Sequence, residues 1–132
     1  MEILYIEDDI DDIELFQEAL SHIDPTISFI SASSFSDALT KLAGKLLKPD
    51  AIFVDYHLPG VDGYECVRDL KNDERLNLIP IILISTTITS KQVDDFNRLG
   101  VYYFLSKTAL LSDLTPALSV IIDSLCKKQE KE

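Results

Sequence analysis

Apolar residues recur along the chain in two alternating rhythms. Four short runs are nearly continuous: Ile3-Leu4-Tyr5-Ile6, Ala51-Ile52-Phe53-Val54, Ile81-Ile82-Leu83-Ile84 and Val101-Tyr102-Tyr103-Phe104-Leu105. Such runs suit strands covered on both faces. A fifth strand is read at about 27–32. Between strands the apolar spacing widens to helical intervals. Ile13, Phe16, Leu20 and Ile23 share one face of a first helix, which Pro25 ends. Ser34 can cap a second helix with Phe35, Ala38, Leu39, Leu42 and Leu46 inward. Pro49-Asp50 then breaks into strand three.

Tyr64, Val67 and Leu70 mark a third helix after the turn-rich stretch Leu58 to Gly63. A fourth runs from about Thr89 to Leu99, with Val93, Phe96 and Leu99 inward and Gly100 in the C-cap position. The last helix is expected to start near Ser112, with Pro116 still in the tolerant first turn. Leu114, Leu118, Ile121 and Leu125 form its apolar face. The charged tail from Lys127 to Glu132 is expected to fray. Alternation of strand and helix predicts an α/β fold of parallel strands joined by right-handed crossovers, a doubly wound (βα)₅ unit.

Composition narrows this little, but charge does more. The 132 residues suit one domain with a single substantial core. Lys and Arg total 12 against 23 for Asp and Glu, a formal charge of −11. That field repels nucleic acid and anionic membranes, so neither is expected as a partner. No apolar window is long enough for a membrane span, and Met1-Glu2-Ile3 lacks a basic leader. Cys66 and Cys126 have no metal-like spacing and read as thiols of a reducing cytoplasm.

The candidate chemistry sits where the apolar runs end. Asp8, Asp55, Ser85 and Lys107 each follow a different run, and Glu7 precedes Asp8. In a parallel sheet those ends share one edge, where open α/β folds bind ligands. Clustered carboxylates need a cation, and hard oxygen ligands that leave room for water and phosphate suit Mg²⁺. An Asp carboxylate can serve as a nucleophile toward phosphorus, while a Lys and a hydroxyl offset charge on the transferring group. Asp9, Asp11 and Asp12 read as first-turn and capping residues of helix one, and His22 and the His57 imidazole as solvated side chains.

Four motifs now carry a resemblance: Ile3-Leu4-Tyr5-Ile6-Glu7-Asp8-Asp9; Val54-Asp55-Tyr56-His57-Leu58-Pro59-Gly60-Val61-Asp62-Gly63; Pro80-Ile81-Ile82-Leu83-Ile84-Ser85; and Phe104-Leu105-Ser106-Lys107. In this order and spacing the sequence resembles the receiver domain of two-component response regulators. The resemblance implies a flavodoxin-like sheet of order 2-1-3-4-5, with residues 1–127 as the receiver and 128–132 as a charged tail without an output domain. It implies Asp55 as phosphoacceptor, Asp8 as direct Mg²⁺ ligand, Glu7 holding the metal through water, and the His57 carbonyl as a third ligand. Ser85, Thr86 and Lys107 match phosphate-side positions, and Phe104 the switch aromatic. The implied partners are a sensor histidine kinase or His-phosphotransfer protein and an unnamed downstream protein. Docking, or homodimer formation, is expected through the fourth helix, fifth strand and fifth helix.

Two positions depart from the family pattern. Lys107 is followed by Thr108 where the family has proline, which predicts a trans bond there and a shifted loop, since a cis bond before a non-proline costs about 2.5–4 kcal/mol. Thr86 follows Ser85 where a smaller residue is usual. The alternative reading is a pseudo-receiver, a constitutive interaction module. A flavin binder would place phosphate against Glu7-Asp8-Asp9, and an Asp-based phosphatase would want a carboxylate at His57. Both fit poorly.

Overall fold

The computed structural model describes residues 1–44 and 47–130. Five strands alternate with five helices: β1 Glu2–Ile6, α1 Ile10–Ile23, β2 Ser28–Ala32, α2 Phe35–Ala43, β3 Ala51–Asp55, α3 Gly63–Asn72, β4 Ile81–Ser85, α4 Ser90–Leu99, β5 Tyr103–Ser106 and α5 Leu111–Glu130. The strands form one parallel sheet in the order β2-β1-β3-β4-β5. This is the flavodoxin-like topology expected. The strand order reverses between β1 and β3, and such sheets take ligands in the crevice at the carboxyl edge there.

Side-chain alternation along each strand divides the core into two layers. Leu4, Ile6, Ile52, Val54, Ile81 and Leu83 face α2, α3 and α4 with Ala38, Leu42, Val67, Leu70 and Phe96. Ile3, Tyr5, Phe53, Ile82, Ile84 and Leu105 face α1 and α5 with Phe16, Leu20, Leu118, Ile121 and Leu125. β3 and β4 are buried at every residue, which explains their uninterrupted apolar runs.

The helices begin where the sequence offers an acceptor. Asp9 caps α1, Ser34 caps α2 and Asp62 caps α3, each accepting a backbone N–H of the first turn. Thr89 and Gln92 form a reciprocal capping box at α4. Gly100 closes α4 at φ 85°, a left-handed conformation that glycine adopts without strain.

Several expectations need correction. Leu39 is 41% exposed, because the inward stripe of α2 is held by Phe35, Ala38 and Leu42. Leu46 lies outside the described residues. Val93 and Leu99 are only half-buried, and Phe96 alone anchors α4 fully. α5 starts at Leu111, so Pro116 falls in the second turn and withholds one helical hydrogen bond from the carbonyl of Ser112. The charged segment does not fray at Lys127, since α5 continues to Glu130. Among the described residues no peptide bond is cis, so Lys107–Thr108 is trans as expected. Among the described residues no helix is long and apolar enough to cross a membrane.

Candidate functional site

The strand ends bring the chemistry together. Asp55 and Ser85 are the last residues of β3 and β4. Glu7 and Asp8 follow β1, and Lys107 follows β5. Backbone bonds extend the sheet past its formal ends and fix these positions. Glu7 N–H donates to Ala32 at 2.9 Å, Tyr56 N–H to Ile84 at 2.8 Å and Lys107 N–H to Ser85 at 2.8 Å. The site is therefore built on the sheet rather than on loops.

Lys107 Nζ sits among three carboxylates, 2.9 Å from Asp55 Oδ2, 2.9 Å from Asp12 Oδ2 and 3.2 Å from Glu7 Oε2. Asp55 Oδ1 accepts the His57 backbone N–H at 3.1 Å. Glu7 accepts the Tyr5 hydroxyl at 3.3 Å and the Asp9 N–H at 3.1 Å. Ligand atoms of Glu7, Asp8 and Asp55 lie within 4.8 Å of one another, with Glu7 and Asp55 buried and Asp8 exposed.

One ammonium cannot balance this charge. Burial, and a hydrogen bond shared with Asp55, push the Glu7 carboxyl up to about 8. Burial pushes Asp55 upward too, but the hydrogen bonds from Glu7, Lys107 and the His57 N–H outweigh it and hold Asp55 below the usual carboxylate range. Burial alone would lower Lys107, yet its bonds to Asp12 and Asp55 raise it. The Tyr5 phenol is raised by burial and by the charges of Glu7, Asp55 and Asp12. A proton retained at Glu7 marks a place where a cation would relieve repulsion. The donor set is all oxygen, with one exposed member facing water, and it fits a hard divalent ion.

The remaining sequence candidates differ in position and engagement, with Ser85, Thr86 and His57 at the edge and Phe104 within β5. Ser85 is buried, and its hydroxyl donates to the Thr87 carbonyl at 2.6 Å rather than to Asp55. Thr86 and His57 are exposed. The His57 imidazole stands edge-on to Tyr56 at 4.8 Å between ring centroids, consistent with a solvated ring. Phe104 is half-buried against Phe96, centroids 6.4 Å apart, on the opposite sheet face from Leu105.

Sequence reasoning missed two contributors. Asp12 was read as a first-turn residue, whereas Asp9 does the capping and Asp12 reaches Lys107. The available signal was its place in the first turn of the helix that leaves the edge where Glu7 and Asp8 stand. Tyr5 was read only as core, and its hydroxyl ends on Glu7.

With this geometry in place, residues 3–119 match the response regulator receiver domain family. The chain belongs to that family. Among relatives, the chemotaxis protein CheY-3 of Vibrio cholerae is 25% identical over 118 residues, covering 88% of this chain and 90% of the relative. Response regulator Rcp1 of Synechocystis is 30% identical over 117 residues, covering 85% and 80%. The phosphorylated cyanobacterial phytochrome response regulator RcpA superposes with a TM-score of 0.80 at 30% identity, covering 91% and 89%. A manganese-bound form of Rcp1 superposes at 0.79 and 28% identity, covering 91% and 90%. The receiver domain described here thus shares its fold with relatives solved in phosphorylated and metal-bound states.

Proposed function

We propose that this receiver domain accepts a phosphoryl group on Asp55 from a sensor histidine kinase or a His-phosphotransfer protein. The supporting observation is the Lys107–Asp55 contact at 2.9 Å inside the Glu7, Asp8 and Asp55 cluster. Asp55 is held ionised, so its oxygen can attack phosphorus as the donor's phosphorus–nitrogen bond breaks and the electron pair returns to the imidazole.

Asp8 and Asp55, with the His57 carbonyl, would hold Mg²⁺ directly, and Glu7 would hold it through water. The ion, when bound, supplies positive charge opposite Lys107. Lys107 would turn from Asp55 to the phosphoryl oxygens. Ser85 would release the Thr87 carbonyl and donate to the same group. Phe104, which is half-buried, would move into the space vacated as that loop shifts. Thr86, exposed beside Ser85, would border the path of attacking water.

Phosphorylation then biases a two-state equilibrium, because the phosphoryl group favours the arrangement in which Ser85 meets it. The changed surface is the α4, β5 and α5 face, where Tyr103 and Val120 are exposed. A downstream protein or a second copy would dock there, or the phosphoryl group would pass onward in a relay. Such partners place the domain in the cytoplasm. Residues 1–127 would make up the receiver.

The test is intact mass after incubation with acetyl phosphate and Mg²⁺. A phosphoryl adduct on wild type and none on Asp55→Asn supports the assignment. No adduct on a folded wild type would favour a constitutive interaction module instead.

A further inference from the structure

Tyr56, the residue after Asp55, is tied to the start of α4 by a side-chain bond. Its hydroxyl accepts Gln92 Nε2 at 2.6 Å. Gln92 is already committed: its Oε1 accepts the Thr89 N–H at 2.9 Å and its own N–H donates to Thr89 Oγ1 at 3.1 Å. Both ends of one amide are therefore used, one on the α4 cap and one on the chain leaving β3.

The tyrosine ring has little freedom. It stands edge-on to Phe96 at 5.9 Å and to His57 at 4.8 Å between centroids. On another side a Cβ at Gly63 would come within 3.0 Å of the Tyr56 carbonyl and 3.2 Å of its ring carbon, so glycine there makes room for this residue. A fixed ring places the hydroxyl, and the hydroxyl places Gln92.

Between β4 and α4 runs the segment 86–89, pinned at both ends. At the start Ser85 donates to the Thr87 carbonyl. At the end Thr89 is bound to Gln92, and through it to Tyr56. We propose that the Tyr56–Gln92 bond is a latch on this segment, holding the domain in the state where the Ser85 hydroxyl faces Thr87 and not Asp55. The inference rests on the reading of Asp55 as phosphoacceptor. For Ser85 to turn toward a group on Asp55, the segment must follow, and the latch restrains its far end. A contact present in one state only shifts the equilibrium by its own free energy. Tyr56 and Gln92 are thus positioning residues that set how readily the receiver switches.

The test uses beryllofluoride, a phosphoryl mimic, with Mg²⁺, against Mg²⁺ alone. Tyr56→Phe removes only the hydroxyl and keeps the packed ring. It is expected to bind beryllofluoride about fivefold more tightly than wild type, the effect of one hydrogen bond of ordinary net strength. Its affinity for Mg²⁺ alone should not change. Thr89→Ala weakens the α4 cap while leaving Gln92 on Tyr56, and a smaller gain there separates the latch from a merely looser helix end. Equal or weaker beryllofluoride binding by Tyr56→Phe overturns the latch while leaving Asp55 as acceptor. An equal gain in Thr89→Ala also overturns it. Failure of folded wild type to bind beryllofluoride at all overturns both readings together.

Discussion

Lys107 crosses the sheet edge from the end of β5 to place Nζ 2.9 Å from Oδ2 of Asp55, 52 residues earlier in the chain. The same nitrogen meets Glu7 and Asp12, so one ammonium is shared among three carboxylates. Its replacement leaves two of them buried without their main counter-charge. Lys107→Met should cost about 1–3 kcal/mol in chelator, below the value for a fully buried pair because the lysine is partly exposed. Chemical denaturation with and without Mg²⁺ checks this. The deficit should shrink when the ion is present, and an unchanged stability in chelator would contradict the charge argument.

Removal of the ion is the complementary test. Asp8 is the exposed member of the cluster, so neutralising it should alter binding more than folding. Wild type should gain thermal stability on adding Mg²⁺, by about 2.7 kcal/mol at a hundredfold excess over the dissociation constant. Asp8→Asn should melt at nearly the wild-type temperature in chelator and lose most of the Mg²⁺-dependent rise. A full rise in the variant would remove Asp8 from the ligand set.

These residues were legible in the sequence because each follows an apolar run, and parallel pairing leaves the ends of such runs on one edge. The strand order was implied by the resemblance to receiver domains, whereas the inward face of α5 followed from helical periodicity alone. Asp12 was hidden because a carboxylate in a first helical turn has the same appearance whether it serves the helix or a lysine across the edge. Leu39 misled because periodicity gives a stripe wider than this nine-residue helix buries. The direction of the Ser85 hydroxyl depends on the path of the segment whose Thr87 carbonyl it bonds, and nothing in residue order encodes that path. Pro116 falls in the second turn because α5 starts at Leu111, slightly earlier than expected, and helix starts are the softest boundary in any periodic pattern.

Acid should expose a different set of interactions. Asp37 at the start of α2 accepts the Ser33 N–H at 3.0 Å and pairs with Lys41 at 3.3 Å. Those contacts, the backbone bond first, hold its carboxyl below the usual range. A carboxylate depressed in the folded state contributes stability above its unfolded value and loses it as pH falls through the folded value. Asp37→Asn keeps the acceptor and removes the charge, mimicking the protonated form. Its melting temperature should lie below wild type at neutral pH and converge with it in acid. A gap that persists or widens in acid would mean that the charge is not what Asp37 contributes.

The lifetime of the phosphorylated state offers the last test, and Thr86 is the residue that should set it. It follows Ser85 directly and is exposed, as is His57 on the neighbouring strand end. Both stand beside the edge that holds Asp55, so water attacking a phosphoryl group there would approach past one or the other. A β-branched side chain narrows that approach more than a methyl group does and is stiff about its first torsion, so it cannot readily swing aside. Thr86→Ala should therefore shorten the lifetime several-fold once the donor is removed, while the rate of phosphorylation from acetyl phosphate changes less. Loss of the adduct, followed by intact mass over time, measures the first quantity, and its appearance measures the second. Equal lifetimes in the two proteins would count against steric control at this position. Equal slowing of gain and loss would instead point to a shift in the placement of Ser85.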